Sequence, residues 1–109
     1  RSHVRARETV PVAYGDDLTG ATRELAAAVA AVEGVADSTA PRAWVDTLGD
    51  DNVTLTVEYR IDDPTVSRVK HIRANVRDRA VDALKSIGAT PGPPAGRELS
   101  GAVTMGDSE

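Results

Sequence analysis

The chain has 109 residues, 40% hydrophobic and 28% charged, a balance that suits one domain burying roughly two thirds of its unfolded surface around one core. Its net charge of -4 argues against a general affinity for nucleic acid or an anionic membrane surface, both of which need an excess of Lys and Arg. With no cysteine, disulfides and thiolate metal sites are excluded, and two histidines are too few for a histidine metal cage.

No apolar run approaches the roughly 18 to 20 residues that cross a bilayer. The longest, Leu25 to Val32, is mostly alanine. There is no initiating Met, and Arg1-Ser2-His3 reads as an artificial junction, so the chain is expected to be a piece of a longer protein. Residues 1–7 are read as junction and lead-in, 8–94 as one folded domain and 95–109 as a flexible tail.

The first periodic segment is Glu8 to Tyr14, a strand with Val10, Val12 and Tyr14 on one side and Thr9, Pro11 and Ala13 on the other. Pro11 has no N–H to give, so a neighbouring strand is expected on one side only. Gly15-Asp16-Asp17 supplies a turn and a helix N-cap. Leu18, Ala21, Thr22, Leu25, Ala28, Val29 and Val32 then recur at helical spacing, and Gly34 ends that helix.

After a polar connector over 35–40, Pro41 to Ile61 reads as a β-hairpin. Its second arm alternates strictly, with Val53, Leu55, Val57, Tyr59 and Ile61 on one face and Thr54, Thr56, Glu58 and Arg60 on the other. Gly49-Asp50-Asp51-Asn52 is the turn. Trp44 falls on the face opposite Val45, which makes it either a contact residue at a subunit interface or a residue buried under a helix. Asp62-Asp63-Pro64 reads as a second helix start, with Asp63 capping and Pro64 in the first helical position. Val66, Val69, Ile72, Val76, Ala80, Ala83, Leu84 and Ile87 form the apolar stripe, and Gly88 is the C-cap glycine. Thr90 to Gly96 is Pro-rich and cannot continue a helix, and Ala102 to Met105 is the only candidate for a further short strand.

The predicted fold is therefore α+β, a ferredoxin-like βαββα(β) arrangement with two helices on one face of an antiparallel sheet. Such a fold hosts many functions, so the order of elements does not decide the activity.

Several segments carry more when taken together. They are Val12-Ala13-Tyr14-Gly15-Asp16-Asp17-Leu18, Glu33-Gly34-Val35, Ala40-Pro41-Arg42-Ala43-Trp44-Val45, the hairpin turn from Leu48 to Leu55, and Ser86-Ile87-Gly88-Ala89 before a Pro-rich end. In this order they make the chain similar, over about residues 8–94, to the cytoplasmic C-terminal α/β domain of small-conductance mechanosensitive channels. The resemblance implies transmembrane helices and a small β domain upstream, and self-association in a homo-oligomeric channel, expected to be a heptamer. It further implies a hollow vestibule on the cytoplasmic side of the membrane, through which ions and small solutes reach a pore opened by tension. One stretch departs from the pattern: Thr90-Pro91-Gly92-Pro93-Pro94 stands where family members carry an apolar closing strand.

Candidate chemistry is sparse. Asp50, Asp51, Asp62 and Asp63 would suit a hard cation if they met, but turn formation and helix capping account for all four. His71, one position off the apolar stripe, has no partner at metal-ligand spacing and reads as a solvated or half-buried histidine. Arg68, Arg73, Arg77 and Arg79, diluted by Asp78 and Asp82, read as an ion-paired outer face rather than a surface for an anionic partner. A ferredoxin-like RNA binder would need stacking aromatics on an open sheet face and a basic groove. Tyr14, Trp44 and Tyr59 are the only aromatics, and Tyr59 shares a face with core residues, so no nucleic-acid partner is expected. No nucleophile with a base, phosphate loop or catalytic carboxylate pair stands at a recognised spacing. No catalytic, cofactor-binding or metal-binding residue is assigned, and an enzyme is not expected.

Two other functions keep a foothold. A regulatory metal-binding domain, such as the cytoplasmic tail of a cation diffusion transporter, would use His71. An amino-acid-sensing module would use Gly15 at the first strand-to-helix turn.

Overall fold

The computed structural model describes residues 2–15 and 17–88. Five elements follow in the order β1 (His3–Ala13), α1 (Leu18–Ala30), β2 (Arg42–Leu48), β3 (Asn52–Asp62) and α2 (Val66–Ser86). β3 lies in the middle of a three-stranded sheet of order β1-β3-β2 and pairs antiparallel with both neighbours. This is the expected α+β arrangement: β1 and β2 are joined through α1, and β3 is inserted between them. The expected strand at Ala102 to Met105 lies outside the described residues.

The core forms where the periodicities coincide. Val53, Leu55, Val57, Tyr59 and Ile61 of β3 are buried against Ala21, Leu25 and Val29 of α1 and Ile72, Val76, Ala80 and Leu84 of α2. β1 adds Ala6 and Val12 in the same phase. Fully burying one such Val, Leu or Ile side chain is worth about 1.5–3 kcal/mol, so these apolar stripes are what hold both helices to the sheet.

Several expectations change in detail. β1 begins at His3, not Glu8, and pairs residue for residue with β3 from His3↔Asp62 to Ala13↔Asn52. Most of the stretch read as lead-in is thus strand, because the phase of Val10 and Val12 continues backward through Ala6 and half-buried Val4. Pro11 sits at an outer edge of the described sheet, as its missing donor requires.

The cap of α2 is Thr65, not Asp63, and Pro64 precedes the helix. Asp63, its N–H donating to the Ser2 carbonyl at 3.2 Å, turns the chain at φ +51, whereas Thr65 has the extended backbone a cap needs and its Oγ1 accepts from Arg68 N at 3.2 Å. The ends of the α2 stripe do not pack: Val66 is 77% exposed and Ile87 44%.

The regular hydrogen bonding of α1 stops at Ala30, and Val32 and Val35 are carried into the core by tighter turns. Asp17 caps α1, its Oδ1 accepting from Gly20 N at 3.0 Å. Val35 bridges to Ile61, and Ala36 N donates to Arg60 O at 2.8 Å. The connector therefore covers the stretch of β3 that β2 does not reach.

Gly34 packs closely against Ile72 of α2. Its φ is +99, and an added Cβ would stand 2.5 Å from Ile72 Cδ1, so both backbone and packing require glycine there.

Candidate functional site

Two constellations rise above ordinary packing, one on each face of the sheet. The first is built on Glu8. The period of β1 points it toward the helices, where it is 5% exposed. Tyr59 on β3 reaches it across the sheet and donates its hydroxyl to Glu8 Oε2 at 2.7 Å. From α2, Arg73 Nε donates to Oε2 at 2.8 Å and Arg77 Nε to Oε1 at 3.0 Å, one helical turn apart on the face that meets β1. Arg73 Nη2 also donates to the Arg7 carbonyl at 3.2 Å. A carboxylate carried on a strand would be expensive to bury alone, and here it is paired with two cations and a hydroxyl. Burial and the neighbouring Glu8 charge push the Tyr59 phenol well above its ordinary range, so it stays a hydroxyl and a donor. The charge-assisted bond to Glu8 likewise raises Arg73, against a smaller effect of burial. This cluster ties α2 to β1.

The second constellation lies on the face the helices leave open. Trp44, paired with Thr56, projects there and is half-buried between two guanidiniums, Arg7 at 5.7 Å and Arg42 at 5.8 Å from its ring centre. The alternative of burial under a helix is thereby closed. Glu58 sits beside this aromatic, with Arg7 Nε at 3.0 Å and Arg5 at 4.0 Å, and Arg60 Nε pairs with Asp62 at 3.0 Å. A shallow pocket opens among Arg5, Thr39, Ala40, Arg42, Glu58 and Arg60. On the hairpin side, Thr56 Oγ1 donates to Asp46 Oδ2 at 3.0 Å, and the Tyr14 hydroxyl donates to the Gly49 carbonyl, tying the hairpin turn to the β1–α1 turn.

The four aspartates considered for a cation do not meet. Asp50 and Asp51 lie at one end of β3 and Asp62 and Asp63 at the other, about 30 Å apart along an extended strand. Among the described residues no three His, Asp or Glu side chains converge on a metal-sized site. His71 is exposed on α2, its Nε2 3.3 Å from Asn75 Nδ2. Gly15 takes φ +94 with open space beside it, so the turn itself accounts for the glycine. Of the α2 arginines, Arg73 and Arg77 pair with Glu8 rather than with Asp78 or Asp82, and Arg68 Nε donates to the Asp62 carbonyl at 3.2 Å. Arg79 lies exposed.

The residue that sequence reasoning missed is Glu8. Its signal was an acid in the buried phase of a strand together with two arginines four residues apart on a helix, but pairing them requires the strand-to-helix docking that only the fold supplies.

Comparison with known proteins places this geometry. Residues 7–89 match the family described as the C-terminal region of the mechanosensitive ion channel MscS. No curated protein matches the sequence. Among solved structures, MSL1 of Arabidopsis thaliana is similar with a TM-score of 0.72 at 16% identity over 85% of this chain and 35% of that one. Its A320V variant gives 0.74 at 16% identity over 85% and 36%. The closed-state MscS of Helicobacter pylori gives 0.71 at 15% identity over 95% and 39%. The chain thus spans little more than a third of the channels it resembles, and at these identities the likeness is one of fold. No helix among the described residues is long and apolar enough to cross a membrane. The family match covers most of the chain, from β1 to the end of α2, and on it the chain belongs to the C-terminal domain family of MscS mechanosensitive channels.

Proposed function

We propose that this chain is the cytoplasmic C-terminal domain of a tension-gated channel subunit, helping to assemble the channel and to wall the vestibule through which ions and small solutes reach its pore. The observation that carries the reading is the family match across 7–89, which takes in most of β1 and all of α1, β2, β3 and α2. The rigid docking of α2 on β1 through Glu8 supports it, since a vestibule wall has to keep its shape under solute flow. The partners in this reading are other copies of the same subunit, seven in the complete channel, and the transmembrane region of the same polypeptide. The domain contributes shape and contact, not catalysis.

The test is the native reading frame around this segment, expressed whole and reconstituted in liposome patches. Apolar segments of about 20 residues upstream and currents that appear only under suction are expected. An upstream region without a membrane span, or a reconstituted protein silent at lytic tension, would sink the proposal.

A further inference from the structure

The open sheet face and the hairpin tip are opposite in charge. On the face, Arg5, Arg7, Arg42 and Arg60 meet three carboxylates, Glu58, Asp62 and, on the hairpin side, Asp46 held by Thr56, which leaves the arginines in excess on a chain of net charge -4. Arg42 forms no ion pair among the described residues; its guanidinium rests against Trp44 and lines the shallow pocket. At the tip, Asp50 and Asp51 are exposed, and neither forms an ion pair among the described residues. They stand beside Leu48, 69% exposed, and Tyr14, 49% exposed. An aromatic flanked by arginines faces one way, and two acids with an exposed leucine face another. Trp and Arg are the residue types that most often anchor protein interfaces.

These two surfaces cannot satisfy each other within one molecule. Six residue steps along β3 separate Asn52 from Glu58, about 20 Å of extended strand, and both surfaces are fixed to that strand by the sheet register. We infer that the acidic hairpin tip of one copy docks on the arginine-lined open face of a second copy, with Asp50 and Asp51 meeting Arg5 and Arg42 while Leu48 packs on Trp44. The inference rests on the reading of this chain as a subunit of an assembly and supplies its contact. Because the contact joins two different patches, each copy keeps one free tip and one free face, so it propagates head to tail and closes into a ring when the rotation allows.

Charge reversal tests it. The chain is followed by sedimentation and by the Trp44 indole NMR signal at millimolar concentration and low ionic strength, for the wild type, Arg42→Glu, Asp51→Arg and the double variant. Both positions are exposed, and the amide spectrum of each variant reports whether the fold is kept. Each single reversal is expected to weaken self-association about tenfold, and the double variant to regain most of it, because the opposite charges again face each other. Self-association that ignores the single reversals, or a double variant no better than the singles, overturns the inference while leaving assembly itself standing. A wild-type chain that stays monomeric throughout overturns it too. In that case the subunit reading is judged separately, by the size of the whole protein extracted from the membrane.

Discussion

Replacing Glu8 with Gln keeps the shape of the side chain and removes its charge. In the native domain the carboxylate accepts from Tyr59, Arg73 and Arg77 at 2.7, 2.8 and 3.0 Å. A glutamine offers one acceptor oxygen to three donors and turns an amide NH2 toward a guanidinium. The bond from buried Tyr59 is of the charged-acceptor kind, worth about 1.5–3 kcal/mol. The two ion pairs count for less, because the Arg73 and Arg77 side chains are 38% and 58% exposed and can turn to water. At about 0.5 kcal/mol each, they bring the expected loss to about 2–4 kcal/mol. For a domain of this size that lowers Tm by on the order of 10–20 °C. Urea unfolding of the wild type, Glu8→Gln, Arg77→Gln and Tyr59→Phe provides the assay, read from midpoints at constant m. Arg77→Gln should cost under about 1 kcal/mol. A loss below about 1 kcal/mol for Glu8→Gln, or an equal loss for Arg77→Gln, would refute the view that the buried end of this cluster carries its energy.

Gly34→Ala should cost about 2–4 kcal/mol, combining a left-handed backbone with the clash against Ile72, and thermal melting reads it directly. Because the phenol of Tyr59 is raised in the folded state, its contribution to stability is complete below about pH 10, where the unfolded phenol titrates, and is lost as pH rises above that value. The wild type should therefore lose up to about 1.4 kcal/mol of stability per pH unit above pH 10 relative to Tyr59→Phe; parallel curves for the two proteins would contradict the burial argument. Thr65→Ala removes the α2 cap and should cost about 1 kcal/mol, whereas Asp63→Ala should not lose a cap hydrogen bond to the helix N-terminus. Melting should be unchanged by zinc, calcium or EDTA; a stabilisation that grows with zinc concentration would revive the metal-binding alternative for His71.

The elements of this domain were legible because their signals are local. Strict alternation from Val53 to Ile61 marks a half-buried strand whatever surrounds it, and the recurrence of Ala21, Leu25 and Val29 marks a helix face in the same way. The order of those elements, with several short matching segments, was enough to suggest the family that the comparison then established. Boundaries were less legible. Asp63 is an ordinary helix cap by residue type, but its backbone turns at φ +51 instead of taking the extended conformation of a cap, in a chain held there by the bond of its N–H to Ser2, sixty-one positions earlier.

What the sequence determined by itself was therefore the periodic framework: which faces are apolar, where the turns fall and which fold those faces can close. Only the tertiary structure decided the partners of the polar groups. Glu8 and Arg77 are 69 residues apart, Glu8 and Tyr59 are 51, and nothing local distinguishes them from solvated side chains until β1 and α2 pack on β3. Likewise Trp44 was consistent with either face until the pairing of β2 with β3 placed it opposite Thr56, between two arginines. Apolar burial depends on a pattern that each segment carries along its own length, whereas an ion pair or an aromatic contact depends on coincidence in space between distant segments, which exists only once the chain has folded.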